Sequence, residues 1–201
     1  MNVLVVGGTG TIGKPVVEAL RAAGHTVQTA ERSGGDLRVD MRDPESIRSM
    51  LAQAGRLDAI VSCAGSGAWK PLEQLTDEDF ETSLRYKLMG QVNLARFGTD
   101  SLNDGGSVTL TSGVLAHSPM PGSAAISLVN AGLEGFARAA ALDLPRGIRI
   151  NVVSPPWVSE TLQAMGQDPS GGQPAAEVAR AYVDAVTGAH NGQVLDSRTY
   201  S

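Results

Sequence analysis

The chain has 201 residues, a formal net charge of −5 and a single cysteine, Cys63. One cysteine excludes an internal disulfide and a multi-cysteine zinc site, so no metal is expected. The acidic balance offers no basic face for nucleic acid or an anionic membrane. Aromatic residues make up only 4%, so the core of the single domain expected over 1–201 must be aliphatic.

The chain opens on a strand, Asn2-Val-Leu-Val-Val6, without the charged and apolar regions of a signal peptide. No apolar run reaches the roughly 18 residues of a membrane span, and a cytoplasmic location is expected. A helix follows from near Thr11 to Gly24, then a weaker strand at 26–30 and another at 37–39. Asp43 caps the next helix, Pro44 sits just inside it and Gly55 follows its end. Ile47, Met50 and Leu51 form that helix's inner stripe. The run 58–62 is a strand. Thr76 then caps a long helix with an acidic first turn, Asp77-Glu-Asp79. A strand at 108–111, a long helix from Ala124 to Leu142 and a strand at 148–153 come next. Gly166–Pro174 reads as a mobile loop, followed by a last helix and a strand at 193–195. The strong strands are apolar on both faces, as in parallel sheets covered by helices. Their alternation with helices predicts an α/β fold: a doubly wound parallel sheet of about seven strands, helices on both faces.

Gly7-Gly-Thr-Gly-Thr-Ile-Gly13 lies between the first strand and first helix. Glycines at 7, 10 and 13 allow a tight turn and close backbone approach to a pyrophosphate. The helix start, with Thr9, Thr11 and Ile12, presents free N–H groups to phosphates. Glu31 ends the second strand, where an acid accepts the ribose 2′-hydroxyl of NAD. Arg32, followed by Ser33, suits the 2′-phosphate of NADP. The two argue opposite ways, and NAD against NADP stays open. Lys87 falls on a helix stripe with Phe80, Leu84 and Gln91. An ammonium there either lines a cleft or snorkels to the edge of an interface.

Several further segments carry a family likeness. These are Val39-Asp40-Met41, Cys63-Ala64-Gly65, Pro71-Leu72, Leu75-Thr-Asp-Glu-Asp-Phe80, Gly147-Ile-Arg-Ile-Asn-Val-Val-Ser-Pro155, Ala175-Ala-Glu-Val-Ala179 and Gly192-Gln-Val-Leu195. With the glycine turn they resemble the short-chain dehydrogenase/reductase family almost end to end. Pro156 departs from the family's Pro-Gly turn. The resemblance implies a Rossmann-type fold, a nicotinamide cofactor (NADP or NAD) and hydride transfer on a small carbonyl or alcohol substrate. It adds Asp40, Met41, Ala64, Gly65, Pro155 and Val158 to the cofactor contacts. It also implies homodimers or homotetramers built on the helices near 77–98 and 124–142.

The family's Tyr-x-x-x-Lys pair is absent. Alignment on Gly135-Phe136 puts Ile126 at the Tyr position and Asn130 at the Lys position. Ser112 matches the family's serine, and Lys87 stands where the family has an asparagine. His117, five residues past Ser112, is placed in a loop bordering the cleft. Candidate catalytic residues are therefore Ser112, Lys87 and Asn130. Trp157–Gln173 is expected to form a short substrate lid loop. The leading reading is an oxidoreductase with a degenerate catalytic site. The alternatives are a non-catalytic NAD(P) sensor and a relic that binds nothing.

Overall fold

The computed structural model describes residues 1–200. Seven strands form one parallel sheet: β1 (Asn2–Val6), β2 (Thr26–Glu31), β3 (Leu37–Arg38), β4 (Leu57–Ser62), β5 (Leu102–Thr111), β6 (Arg149–Ser154) and β7 (Val194–Asp196). Their order is β3-β2-β1-β4-β5-β6-β7. The winding direction reverses between β1 and β4, which opens a crevice at the strands' carboxyl ends.

Alternate residues of each strand serve opposite cores. Leu4, Val6, Ile60, Leu110 and Ile150 pack beneath α2 (Pro44–Ala54), α4 (Gly90–Gly98) and α5 (Ala124–Asp143). Val3, Val5 and Val61 pack beneath α1 (Gly13–Ala22) and α7 (Ala175–Thr187), around the fully buried Tyr182. Among the described residues, no helix is long and apolar enough to cross a membrane.

Local chemistry sets the helix starts. Asp43 accepts the Glu45 N–H at 3.0 Å, with Pro44 at the first helical position. Thr76 and Asp79 form a reciprocal capping box at the head of α3 (Asp77–Thr82). Two such orphan donors satisfied together fix where the chain enters the helix.

Three expectations need correction. The long helix after Thr76 is not continuous α-helix: Ser83–Met89 is a π-helical turn between α3 and α4. Strand β5 starts at Leu102 rather than 108, with its pairing register shifting opposite Leu57–Ala59. The turn-like Asn103-Asp-Gly-Gly106 hid that start, and Asn103 is held by Asp58 Oδ1 at 2.7 Å. Nor is 157–173 a plain loop. It contains α6 (Ser159–Ala164) with Leu162 buried, and Val158 bridges to Gln173. Gln173 and Ser197 are both buried and joined by two hydrogen bonds of 2.6 and 2.9 Å. These bonds tie Gly166–Pro174, expected as a mobile loop, to the end of the sheet.

Candidate active site

The glycine turn closes on itself. A Cβ on Gly13 would lie 1.8 Å from the Gly7 carbonyl oxygen, and one on Gly7 would lie 2.7 Å from the Ala64 nitrogen. Gly7 also has φ +84°. Both glycines are therefore packing requirements and line neither cavity described below. Gly10 and Thr11 are exposed beside them. α1 starts behind Ile12 with no side-chain cap. The Lys14 and Val16 N–H groups are taken by the Gly10 and Ile12 carbonyls and Pro15 has none, so what the helix start offers an anion is chiefly the positive end of its dipole.

The crevice has two ends. At the first, a cavity of about 390 Å³ is lined by Thr9, Glu31, Arg32, Ser33, Asp40, Met41 and Ala64. Sequence reasoning missed Tyr86 and Arg42 there. Glu31 Oε1 accepts the Thr9 N–H at 2.7 Å, so the acid is already engaged by the glycine turn. Arg32 makes no hydrogen bond of its own among the described residues. Arg42 grips Asp40 through two contacts of 2.9 and 2.6 Å and holds its carboxyl down to about 2.

The second end is an apolar cavity of about 400 Å³ at the tips of β4, β5 and β6. It gathers Ile12, Gly65, Lys87, Ser112, Ile126, Asn130, Pro155 and Val158, so every catalytic candidate meets here. Lys87 comes from the π-helical turn and is buried. Such turns recur at functional sites because they shift a side chain out of helical register. Its Nζ donates to the Ser112 carbonyl oxygen at 3.1 Å. Burial without a carboxylate partner pulls its pKa from 10.5 to about 8. The interface-edge reading of Lys87 is thus excluded. Gln91, one turn on, clamps Thr111 through N–H and C=O at 2.8 and 3.0 Å and fixes the strand end.

Asn130 is 2% exposed, and its Nδ2 reaches the Gly113 carbonyl at 3.4 Å. Its Oδ1 is buried without a partner, an acceptor waiting for a donor. That orphan suits a ribose hydroxyl, so the residues present fit a nicotinamide dinucleotide. Cys63 sits beside Tyr182, and burial pushes its thiol well up, leaving it inert. Trp69 and Trp157 stand at the mouth with ring centroids 5.3 Å apart and planes at 58°. Met165 and Thr161 of the expected lid segment line the same cavity. Sequence reasoning also missed Glu134, which accepts the Ser112 hydroxyl at 3.0 Å and contacts His117 Nε2 at 2.5 Å. Its four-residue spacing from Asn130 was the available signal.

A family profile described as "Enoyl-(Acyl carrier protein) reductase" matches residues 11–187. The chain belongs to the short-chain dehydrogenase/reductase family. Hydroxynaphthalene reductase arp2 of Aspergillus fumigatus is 33% identical over 152 residues, covering 73% of this chain and 53% of that protein. The chain thus spans about half the length of the curated relatives it matches. A protein of Listeria innocua is 41% identical over 98% of both chains, with a TM-score of 0.93. A small-chain dehydrogenase solved in complex with NADPH is 25% identical, covering 98% of this chain and 95% of its own, with a TM-score of 0.86. The Rossmann-type NAD(P)-binding fold of this short-chain dehydrogenase/reductase is therefore shared along nearly its full length. Ile126, Asn130, Lys87 and Pro156 are the positions at which its sequence departs from the family residues named above.

Proposed function

We propose that the protein is an NADP(H)-linked oxidoreductase acting on a flat, largely apolar alcohol or ketone. The observation that carries this reading is one cleft holding a buried cation (Lys87), a hydroxyl (Ser112) and the orphan acceptor of Asn130. Bound there, the nicotinamide dinucleotide supplies hydride exchange with a carbonyl or carbinol carbon. The uncapped start of α1 and the glycine turn would hold its pyrophosphate. Asn130 Oδ1 would accept a ribose hydroxyl. Arg32 and Ser33, beside a Glu31 already bonded to Thr9, favour a 2′-phosphate over a bare ribose. Lys87 supplies from the α3–α4 wall the positive charge that Asn130 cannot supply from α5. In a largely apolar cavity that charge stabilises an oxyanion on the substrate.

Substrate shape follows from Trp69, Trp157, Ile126 and Met165, which suit a planar ring system. The name of the hydroxynaphthalene reductase relative agrees with a bicyclic aromatic. We further propose a homodimer or homotetramer through the outer face of α5. Leu128, Ala131, Gly135 and Leu142 lie exposed there along one stripe, and Leu142 is 87% exposed. Sedimentation showing only monomer at micromolar concentration would exclude that assembly.

Calorimetric titration with NADPH, NADP, NADH and NAD tests the cofactor reading. Selective binding of the phosphorylated pair is expected. Arg32→Ala should weaken NADPH by about 10–100-fold and leave NADH unchanged, the effect of one charge-assisted contact. Equal affinity for NADPH and NADH would overturn the NADP assignment. Ile126 at the tyrosine position favours a second reading, a cofactor-binding sensor without turnover. Tight cofactor binding with no turnover across carbonyl and alcohol panels would establish it.

A further inference from the structure

Glu134 lies one turn beyond Asn130 on α5 and is 1% exposed. An ionised carboxylate at that depth is costly unless both oxygens are satisfied. Here both are. Oε1 accepts the Ser112 hydroxyl and Oε2 meets His117 Nε2. Arg138 Nη1 stands 3.9 Å from Oε2. The His117 and Arg138 side chains are 63% and 55% exposed. The carboxylate therefore has His117 and Arg138 toward water and its hydroxyl neighbour toward the cleft. No other charged group among the described residues pairs with it.

A serine hydroxyl has one proton and two lone pairs. With the proton directed at Glu134, Ser112 offers only lone pairs to whatever enters the cavity. A ketone oxygen has no proton to give them, whereas an alcohol does. The order of groups also differs from a hydrolytic triad. The carboxylate sits between serine and imidazole, so the imidazole does not reach the serine proton.

We propose that Glu134 is a positioning residue acting through Ser112, kept in place by His117. It turns the site toward the alcohol form of its substrate and receives the proton when that alcohol is oxidised. This rests on the oxidoreductase reading above. The substrate O–H bond breaks and its proton bonds to Ser112 Oγ, as the Ser112 proton passes to Glu134 Oε1. The carbinol hydrogen leaves with its electron pair to the oxidised nicotinamide dinucleotide, and the oxygen's electron pair completes the carbonyl. The Lys87 ammonium faces the negative charge that builds on that oxygen.

The test titrates 1-tetralol and 1-tetralone, a bicyclic alcohol and its ketone, by calorimetry onto protein saturated with 1,4,5,6-tetrahydro-NADP, a cofactor analogue that cannot exchange hydride. Wild type is compared with Glu134→Gln and Ser112→Ala. With its NH2 on the Ser112 side and its oxygen accepting the His117 Nε2–H, the glutamine amide donates to Ser112 Oγ and frees the hydroxyl proton for a carbonyl. The alcohol-over-ketone preference should fall about tenfold in Glu134→Gln, with NADP affinity within about twofold of wild type. Ser112→Ala should erase the preference. An unchanged ratio in both variants overturns the proposal. If neither compound binds wild type while NADP does, the aromatic-substrate reading fails, and the unliganded protein decides the rest. There Ser112→Ala should move the NMR signals of the His117 ring, to which Ser112 connects by hydrogen bonds through Glu134. Unmoved His117 signals overturn the proposal on their own.

Discussion

The two ends of the crevice solve different problems with different materials. The end holding Arg32, Asp40 and Arg42 is polar and partly exposed, and its charges neutralise one another near water. The end holding Lys87, Ser112 and Asn130 is apolar and buried, and its charges are isolated or paired only through Glu134. Charge near water is cheap and screened; charge in an apolar cavity is costly and strong. Substitutions at the inner end should therefore change chemistry sharply. Those at the outer end should change affinity or acid stability mildly.

The largest contrast is expected from Lys87→Met. Loss of the buried ammonium should lower kcat/KM by about 10²–10³, as for removal of one oxyanion-stabilising group. The same change should raise stability at pH 7 by about 1–3 kcal/mol, because the desolvated cation is removed. The linkage sign agrees. Lys87 titrates at about 8 in the folded chain against 10.5 ordinarily. Between those values the unfolded chain binds the extra proton, so stability rises with pH there, while activity declines above pH 8 as the ammonium is lost. Denaturant melts and pH–rate profiles read the two limbs. A wild-type rate that keeps rising past pH 9, outside the Lys87 titration at about 8, would break the contrast.

Gly13→Ala tests the turn both ends share. Its Cβ would meet the Gly7 oxygen at 1.8 Å, and overpacking of this kind costs about 1–3 kcal/mol or more. A lowered Tm together with lost cofactor binding is expected. Gly10→Ala, whose Cβ would lie an ordinary 3.4 Å from the Gly7 carbonyl oxygen, should keep the Tm and lose only cofactor affinity.

The smallest effect belongs to Asp40→Asn. Asp40's carboxyl is held at about 2, so its stabilising contribution is present above 3.8 and lost as pH falls toward 2. The side chain is 33% exposed, and pairs of this kind are worth about 0–1 kcal/mol. Acid melts of the variant should differ from wild type by no more than that. A larger difference would make the outer end less screened than its exposure implies.

The same physical contrast governs what could be read from the sequence. β1, the glycine turn and the capped helices are local, since spacing and residue type alone determine them. The outer-end residues Glu31, Arg32 and Asp40 lie close to such markers. The inner end depends on contacts between distant segments. Lys87 left two readings open because a helical stripe does not reveal a π-helical turn, and that turn carries the ammonium inward. Glu134 looked like any charged residue of a long helix until β5 brought Ser112 against it. The segment Gly166–Pro174 read as loose because its glycines and prolines are local signals, whereas the Gln173–Ser197 pair that ties it is not.

The aromatic pair at the cavity mouth also has an optical consequence. Trp69 and Trp157 are the only tryptophans in the sequence, and they face one another across 5.3 Å. Nearly all long-wavelength emission of the protein therefore originates at the entrance to one cavity. Indole emission overlaps the absorption band of a reduced nicotinamide and misses that of an oxidised one. The native fluorescence would then report, without any label, both whether the cleft is filled and in which redox state its occupant sits.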